Sequence, residues 1–140
     1  MRIVIKVGTS TLTHQNGNIN IRRIENLCKV ISDMKNSGLE VILVSSGAIA
    51  MGVGKLNLPG KPTEIAKKQA CAAVGQSQLM KIYENFFAEY GHTVACHVFR
   101  ERQTDFLKKV IDNRENEYEA EGIKHKLIIS HNAFVHRYQP

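Results

Sequence analysis

The first third of the chain passes from a short apolar run to helical spacing and back to an apolar run. Arg2–Val7 is rich in β-branched residues and predicts a short buried strand. Across residues 21–37 apolar side chains recur every three or four positions, which predicts a helix, and Gly38 follows as a C-cap. Residues 40–44 (EVILV) predict a second buried strand. This order predicts a βαβ unit with parallel strands and a right-handed crossover.

Each of these strands is followed by a turn of small or polar residues. Residues 8–19 are polar and turn-rich, and residues 14–18 within them predict a loop or hairpin tip, with Asn16-Gly17 as the turn signal. Residues 45–48 (SSGA) predict a turn of small residues, and a further helix is expected over 48–53. Parallel strands that neighbour each other end at the same edge of a sheet, so we expect the two turns to lie together.

The rest of the chain predicts a mixture of helices and strands. The expected elements are a Gly/Pro linker over 56–62, a helical region over 63–89 that begins at Thr63 and breaks at Gly75, a strand over 93–99, a charged surface helix over 105–121 and a short strand over 126–129. The pattern as a whole predicts an α/β fold.

Length and charge limit the classes of function. The chain has 140 residues, 43% of them apolar and 23% charged, which suits one domain or part of one. Its net charge of +6 is compatible with a nucleic acid or with an anionic small molecule as partner. The basic residues are spread along the chain without a basic stripe or aromatic stacking platform, so nucleic acid is the disfavoured partner.

Cysteine and histidine usage predicts an intracellular protein without a protein-bound metal. The three cysteines, Cys28, Cys71 and Cys96, have no C-x-x-C spacing and predict reduced thiols in the cytoplasm. No apolar signal-peptide region or membrane-spanning stretch is found, so no membrane association is expected. The histidines lack metal-ligand spacing, and no metal site is predicted.

The end of the first strand carries a lysine beside a glycine turn. Lys6 precedes Gly8, and Thr9 and Ser10 follow with hydroxyl groups. A glycine lets backbone N–H groups approach an anion, and a lysine ammonium can contact phosphate oxygens. This pattern is compatible with a nucleotide phosphate, and equally with a lysine that reaches solvent from an edge strand beside an ordinary turn. It is not a Walker A loop.

The second turn offers a similar arrangement without a charge. Ser46 provides a hydroxyl that could bond a carboxylate, and Gly47 permits close approach of a ligand to the backbone. The same residues are also explained by a tight turn that packs the strand against the helix and binds no ligand. Taken together, the two turns could hold a phosphate on one side and a second substrate on the other.

Three stretches carry a resemblance to a known family. IKVGTSTLT, ILVSSGAIAMG and KKQACAAVGQSQLM resemble the glutamate 5-kinases of the amino acid kinase family. The resemblance covers residues 2–94, and the second and third stretches are its most specific part. It implies a three-layer αβα sandwich with a mainly parallel sheet, the amino acid kinase fold.

The resemblance also implies an activity. The enzymes it points to transfer the γ-phosphoryl group of ATP to the side-chain carboxylate of L-glutamate, with Mg²⁺ accompanying the nucleotide, as the first step of proline synthesis. Proline is the implied feedback inhibitor and a homo-oligomer the implied assembly. Lys6 matches the catalytic, phosphate-contacting lysine, with Gly8, Thr9 and Ser10 beside it. Ser46 matches the serine that binds glutamate, together with Gly47.

The remaining part of the third stretch has two interpretations. Gly75, with Gln76 and Ser77, could help to shape the glutamate or proline pocket, or it could be a helix break with polar caps. Lys67 and Lys68 predict a solvated helix face, and Cys71 predicts a small core residue rather than a nucleophile.

After residue 94 the resemblance weakens. Asn132, within IISHNAFV, stands near the position where the family has an Asn-Asp region that helps to bind glutamate. Residues 1–94 are therefore predicted to be the N-terminal part of a kinase domain, and 95–140 a divergent continuation of it. The nucleotide-binding half and the C-terminal domain of the family are expected to be absent from this chain.

Three origins would explain this weakening: a truncated or frameshifted product, a fragment, or a divergent protein that has kept the glutamate-side scaffold. The expectation is that the chain alone does not turn over. The alternative function is a non-catalytic fragment that binds an amino acid or associates with a full-length kinase.

Overall fold

Four parallel strands form the sheet of the structure, a computed structural model that describes residues 1–98 and 127–131. The strands, numbered in chain order, are β1 (Arg2–Val7), β2 (Glu40–Ser45), β3 (Val94–Val98) and β4 (Leu127–His131). They lie in the order β1-β2-β4-β3, and each neighbouring pair is parallel. The predicted α/β class with a mainly parallel sheet is confirmed, as are the predicted strands.

Among the described residues four helices accompany the sheet: α1 (Thr9–Leu12), α2 (Ile21–Asn36), α3 (Ala48–Lys55) and α4 (Ile65–Glu89). Helix α2 begins where Asn20 accepts a hydrogen bond from the backbone N–H of Arg23 at 3.1 Å. It ends at Ser37, and Gly38 follows with a φ of +86° as the sequence predicted. The predicted helix after the second turn is confirmed as α3. The predicted helix over 105–121 lies outside the described residues.

Three expectations are wrong. Residues 9–12 form helix α1 instead of a loop, because Leu12 is 1% exposed and anchors this four-residue segment in the core. Helix α4 is one continuous helix, and Gly75 does not break it. The helix also begins after Glu64, whose carboxylate pairs with Lys67 at 2.8 Å, and not at Thr63.

The hairpin tip between α1 and α2 follows the prediction. Thr13 and Ile19 form an isolated antiparallel bridge, and Gly17 has a φ of +84°. The backbone N–H of His14 donates to the carbonyl of Asn18 at 2.7 Å. A short closed loop therefore connects the first turn to α2.

The main core lies on the sheet face that α2 and α4 cover. Alternate strand residues such as Val7, Val41 and Leu43 belong to this core, because successive side chains of a strand point to opposite faces. From α2 and α4, the largest fully buried members are Tyr83, Phe87, Ile24, Ile31 and Leu79. The core thus joins the two strand ends of the βαβ unit to the second half of α4.

The described cysteines are buried free thiols. Cys28 is 0% and Cys71 is 1% exposed, and burial raises the pKa of the Cys28 thiol to about 12. In a Cys96→Ser background we expect iodoacetamide at pH 8 to leave both thiols unmodified in the folded protein and to modify both in urea, as read by intact mass. Rapid labelling without denaturant would contradict this burial.

Among the described residues, no helix has the length and apolar character needed to cross a membrane.

Candidate functional site

The two strand-to-helix turns meet at the carboxyl-terminal edge of the sheet. Val7 and Ser45 are partners in the register of β1 and β2, so both strands end at the same level. The backbone N–H of Ser46 donates to the carbonyl of Val7 at 3.1 Å and ties the turns together. The sequence-based expectation that these turns lie side by side is confirmed.

Hydrogen bonds from helix α2 stabilise the first turn. Gly8 is the N-cap of α1, in an extended conformation. The Thr13 hydroxyl donates to the carbonyl of Thr9 at 3.0 Å. The guanidinium of Arg23 donates to the carbonyl of Thr13 at 3.1 Å and to that of Ser10 at 3.5 Å. These bonds satisfy carbonyls at the end of a helix too short to be stable alone.

The second turn requires a glycine. Gly47 has a φ of +110°, a region that costs other L-residues about 1–2 kcal/mol. Its carbonyl accepts the first helical hydrogen bond of α3, from the N–H of Met51 at 2.9 Å. The turn therefore reverses the chain directly from β2 into α3, with Ser46 at its apex.

Helix α4 supports this second turn by close backbone contact. A Cβ atom at Gly75 would overlap the carbonyl oxygen of Ala48 and would lie 2.5 Å from the backbone nitrogen of Gly52. At Gly52 a Cβ atom would in turn overlap the backbone of Cys71. Glycines at both positions allow α3 and α4 to touch through their backbones, which sets the position of the α3 N-terminus.

A second support is a buried hydrogen bond. The Tyr83 and Ser45 hydroxyl oxygens are 2.7 Å apart, and Ser45 Oγ also donates to the carbonyl of Ser46 at 3.1 Å. Burial raises the pKa of the Tyr83 phenol, and its hydrogen bond with Ser45 acts in the opposite direction. Helix α4 is thus connected by hydrogen bonds to the apex of the turn.

A cavity of about 370 Å³ opens in front of the two turns. Its lining includes Thr9, Ser46 and Gly47, three of the residues that the sequence predicted for the site. The other residues used below come from the hairpin tip and from the segment between α3 and α4: Asn16, Asn18 and Lys61. Within the described part of the chain, Lys61 is the one charged residue in this lining, which gives the cavity a positive character.

Lys6 lies at the same edge of the sheet and not in the lining of the cavity. Its neighbours Ile5 and Val7 pack into the core, so the alternation of the strand directs Lys6 to the opposite face. The residue is exposed and takes part in no ion pair of the described residues. The ammonium group is therefore available to a ligand at the end of β1.

The structure separates the remaining predicted site residues. Gly8 and Ser10 belong to the first turn, outside the cavity lining, and Ser10 is exposed. Asn132 follows β4 directly and lies outside the described residues.

Sequence reasoning missed the contribution of Asn16, Asn18 and Lys61 to the cavity. The Asn-Gly turn signal and the Gly/Pro linker located their segments, yet neither pattern indicates which way a loop folds.

No group of three or more His, Cys, Asp or Glu residues in the described part of the chain is arranged to hold a metal ion.

Comparison with known proteins agrees with this geometry. The model of the amino acid kinase family matches residues 1–133. A glutamate 5-kinase of Clostridium perfringens is 65% identical over 94 residues, which cover 67% of this chain and 35% of that protein. A glutamate 5-kinase of Listeria innocua is 58% identical over 105 residues, which cover 75% and 38% respectively. The chain thus spans little more than a third of the length of these relatives.

Solved structures of low sequence identity share the fold. The product complex of T. acidophilum isopentenyl phosphate kinase superposes with a TM-score of 0.54 at 15% identity, covering 93% of this chain and 54% of that one. The likeness confirms the predicted amino acid kinase fold. With the family model matching nearly the whole sequence, the chain belongs to the amino acid kinase family.

Proposed function

We propose that the two turns form the glutamate side and the phosphate-facing edge of a glutamate 5-kinase site. The observation that carries this proposal is the meeting of Ser46, Gly47 and Thr9 around one cavity, in a chain 65% identical to a glutamate 5-kinase over 94 residues. A hydroxyl, a glycine backbone and the cation of Lys61 suit a small anionic substrate such as L-glutamate.

The presence of a glycine at position 8 is an argument for a phosphate site at the end of β1. Its φ of −83° is open to any residue, and a Cβ atom there would meet only the hydroxyl of Ser10, at 4.0 Å. Nothing in the described fold thus requires a glycine at this position. A glycine here is explained if an anion approaches the backbone closely. Lys6, Thr9 and Ser10 would provide the charge and the hydroxyl groups around that anion.

In the proposed reaction the side-chain carboxylate of glutamate attacks the γ-phosphorus of ATP. A new carboxyl O–P bond forms, the bond to the bridging oxygen breaks, and glutamyl 5-phosphate and ADP result. The protein forms no covalent intermediate and acts by positioning and charge stabilisation. Ser46 would hold the glutamate, and Lys6 would offset charge on the transferred group. Mg²⁺ would accompany the nucleotide phosphates, as the resemblance to the glutamate 5-kinases implies.

Several finer parts of the proposal rest on the resemblance to the glutamate 5-kinases alone. The reaction would be the first step of proline biosynthesis, with proline as feedback inhibitor and a homo-oligomer as the assembly. A cytoplasmic location is in keeping with the free thiols of Cys28 and Cys71.

The test combines binding with product trapping. We expect calorimetry to detect saturable binding of L-glutamate to the purified chain. The same chain is then incubated with glutamate, ATP, Mg²⁺ and hydroxylamine, which converts an acyl phosphate into a coloured hydroxamate. Glutamate binding with hydroxamate formation assigns the complete reaction to this chain, whereas absence of glutamate binding contradicts the proposal.

The second candidate function is a non-catalytic protein that binds an amino acid or associates with a full-length kinase. The observation in its favour is that the matched part of this chain spans 35% of the Clostridium perfringens relative. Glutamate binding without hydroxamate would favour this candidate.

Ser46→Ala tests the carboxylate-binding hydroxyl. Both backbone groups of Ser46 are engaged within the protein, so we expect the variant to fold normally. Loss of one hydrogen bond to a charged ligand should weaken glutamate binding about tenfold or more. Calorimetry measures the affinity, with Ser37→Ala, an exposed serine at the end of α2, as the control. An unchanged affinity would remove Ser46 from the site.

A further inference from the structure

The Tyr83 hydroxyl is buried at the junction between α4 and the second turn. Tyr83 is 0% and Ser45 is 1% exposed, and their hydroxyl oxygens are 2.7 Å apart. Neither residue belongs to the cavity lining. The pair therefore cannot contact a ligand there directly, yet it lies immediately behind the residue that would.

The Ser45 hydroxyl lies between the Tyr83 phenol and the second turn. Ser45 Oγ donates its single proton to the carbonyl of Ser46 at 3.1 Å. The same hydroxyl is paired with the Tyr83 phenol at 2.7 Å, so Ser45 links the phenol to the Ser46 carbonyl. The Ser46 N–H donates to the carbonyl of Val7, so the peptide groups on both sides of Ser46 are fixed.

The phenol ring is itself held in place. Tyr83 packs against Phe87 in α4, with ring centroids 6.3 Å apart and planes inclined by 21°. Both rings are fully buried. Because the packed ring holds its hydroxyl in a fixed position, the hydroxyl can fix the position of the turn that it contacts.

We propose that Tyr83 is a positioning residue of the glutamate site, which acts through Ser45 to fix the Ser46–Gly47 peptide and so directs the Ser46 hydroxyl towards the cavity. This inference rests on the proposed function. The proposal gives helix α4 a role in substrate affinity through the Tyr83 hydroxyl, which does not contact the substrate.

A double-mutant cycle tests the relay. Tyr83→Phe keeps the ring and removes the hydroxyl, and Ser45→Ala removes the intermediate group. We expect each to weaken L-glutamate binding about fivefold, and the double variant to bind no more weakly than Ser45→Ala alone. Affinities are measured by calorimetry at a temperature at which each variant is fully folded. Losses that multiply in the double variant, or an unchanged affinity in Tyr83→Phe, would overturn the proposal.

A second measurement needs no ligand, so it distinguishes failure of this inference from failure of the proposed function. In ¹H–¹⁵N spectra of the free protein, Tyr83→Phe and Ser45→Ala should shift the amide signals of Ser46 and Gly47. The control Tyr90→Phe changes a half-buried tyrosine that follows α4 and should leave both signals in place. If Tyr83→Phe lowers the melting temperature and leaves these two amides unmoved, its role is structural only and the proposal is wrong.

Discussion

Replacing Gly75 by alanine is expected to destabilise the protein by about 3 kcal/mol or more, because the added methyl group has no space. It would overlap the carbonyl oxygen of Ala48 and lie 2.5 Å from the backbone nitrogen of Gly52. Both neighbours are backbone atoms, so no side-chain rotation can relieve the overlap, and α3 must move away from α4. The free energy of unfolding, measured in urea, gives the loss directly.

Gly54→Ala is the matched control. Gly54 lies in α3, is exposed and has no atom within 4 Å of the position of an added Cβ. Alanine is the better helix former, so this variant should be as stable as the parent or more stable by about 0.5–1 kcal/mol. Equal stability of the Gly75 and Gly54 variants would contradict the close contact of the two helices.

Replacing Lys6 by methionine is expected to weaken binding of Mg²⁺–ATP about 10-fold to 100-fold, the effect of losing one charge-assisted hydrogen bond to phosphate. Lys6 is exposed at the end of β1 and takes part in no described ion pair. The free energy of unfolding should therefore change by no more than about 0.5 kcal/mol. Calorimetry with Mg²⁺–ATP measures the first effect and urea denaturation the second.

Lys29→Met provides the control for charge alone. Lys29 is an exposed lysine of α2, remote in sequence from both turns, and its replacement lowers the net charge by the same amount. Glutamate affinity should remain unchanged in both variants, because Lys6 does not line the cavity. If both lysine variants lost ATP affinity equally, the role of Lys6 would reduce to general attraction of anions.

The strands and the first long helix could be predicted because local pattern and burial agree there. Arg2–Val7 is apolar and β-branched, and α2 carries helical spacing between an Asn20 cap and Gly38. An element can be predicted from sequence where its local preference and its tertiary environment agree. Gly75 is the opposite case, since its low helix propensity predicts a break that a tertiary contact overrides.

The candidate site was predictable where it depends on strand ends and not where it depends on loops. The register of the neighbouring parallel strands β1 and β2 places Thr9, Ser46 and Gly47 at one edge of the sheet. This placement depends on backbone pairing and not on side-chain contacts. Lys61 entered the cavity unpredicted because the path of the segment between α3 and α4 depends on how those helices pack. The relay from Tyr83 to Ser45 was equally hidden, because its two hydroxyls are 38 residues apart.

The most direct test of the central claim is a titration of L-glutamate into the ¹⁵N-labelled protein. The claim is that both turns contribute to one substrate site. It predicts that the amide signals of Thr9, Ser46 and Gly47 shift together with a single dissociation constant, while signals from the exposed face of α2 stay in place. Saturating glutamate that leaves these three signals unmoved, or that shifts only signals elsewhere, would contradict the account.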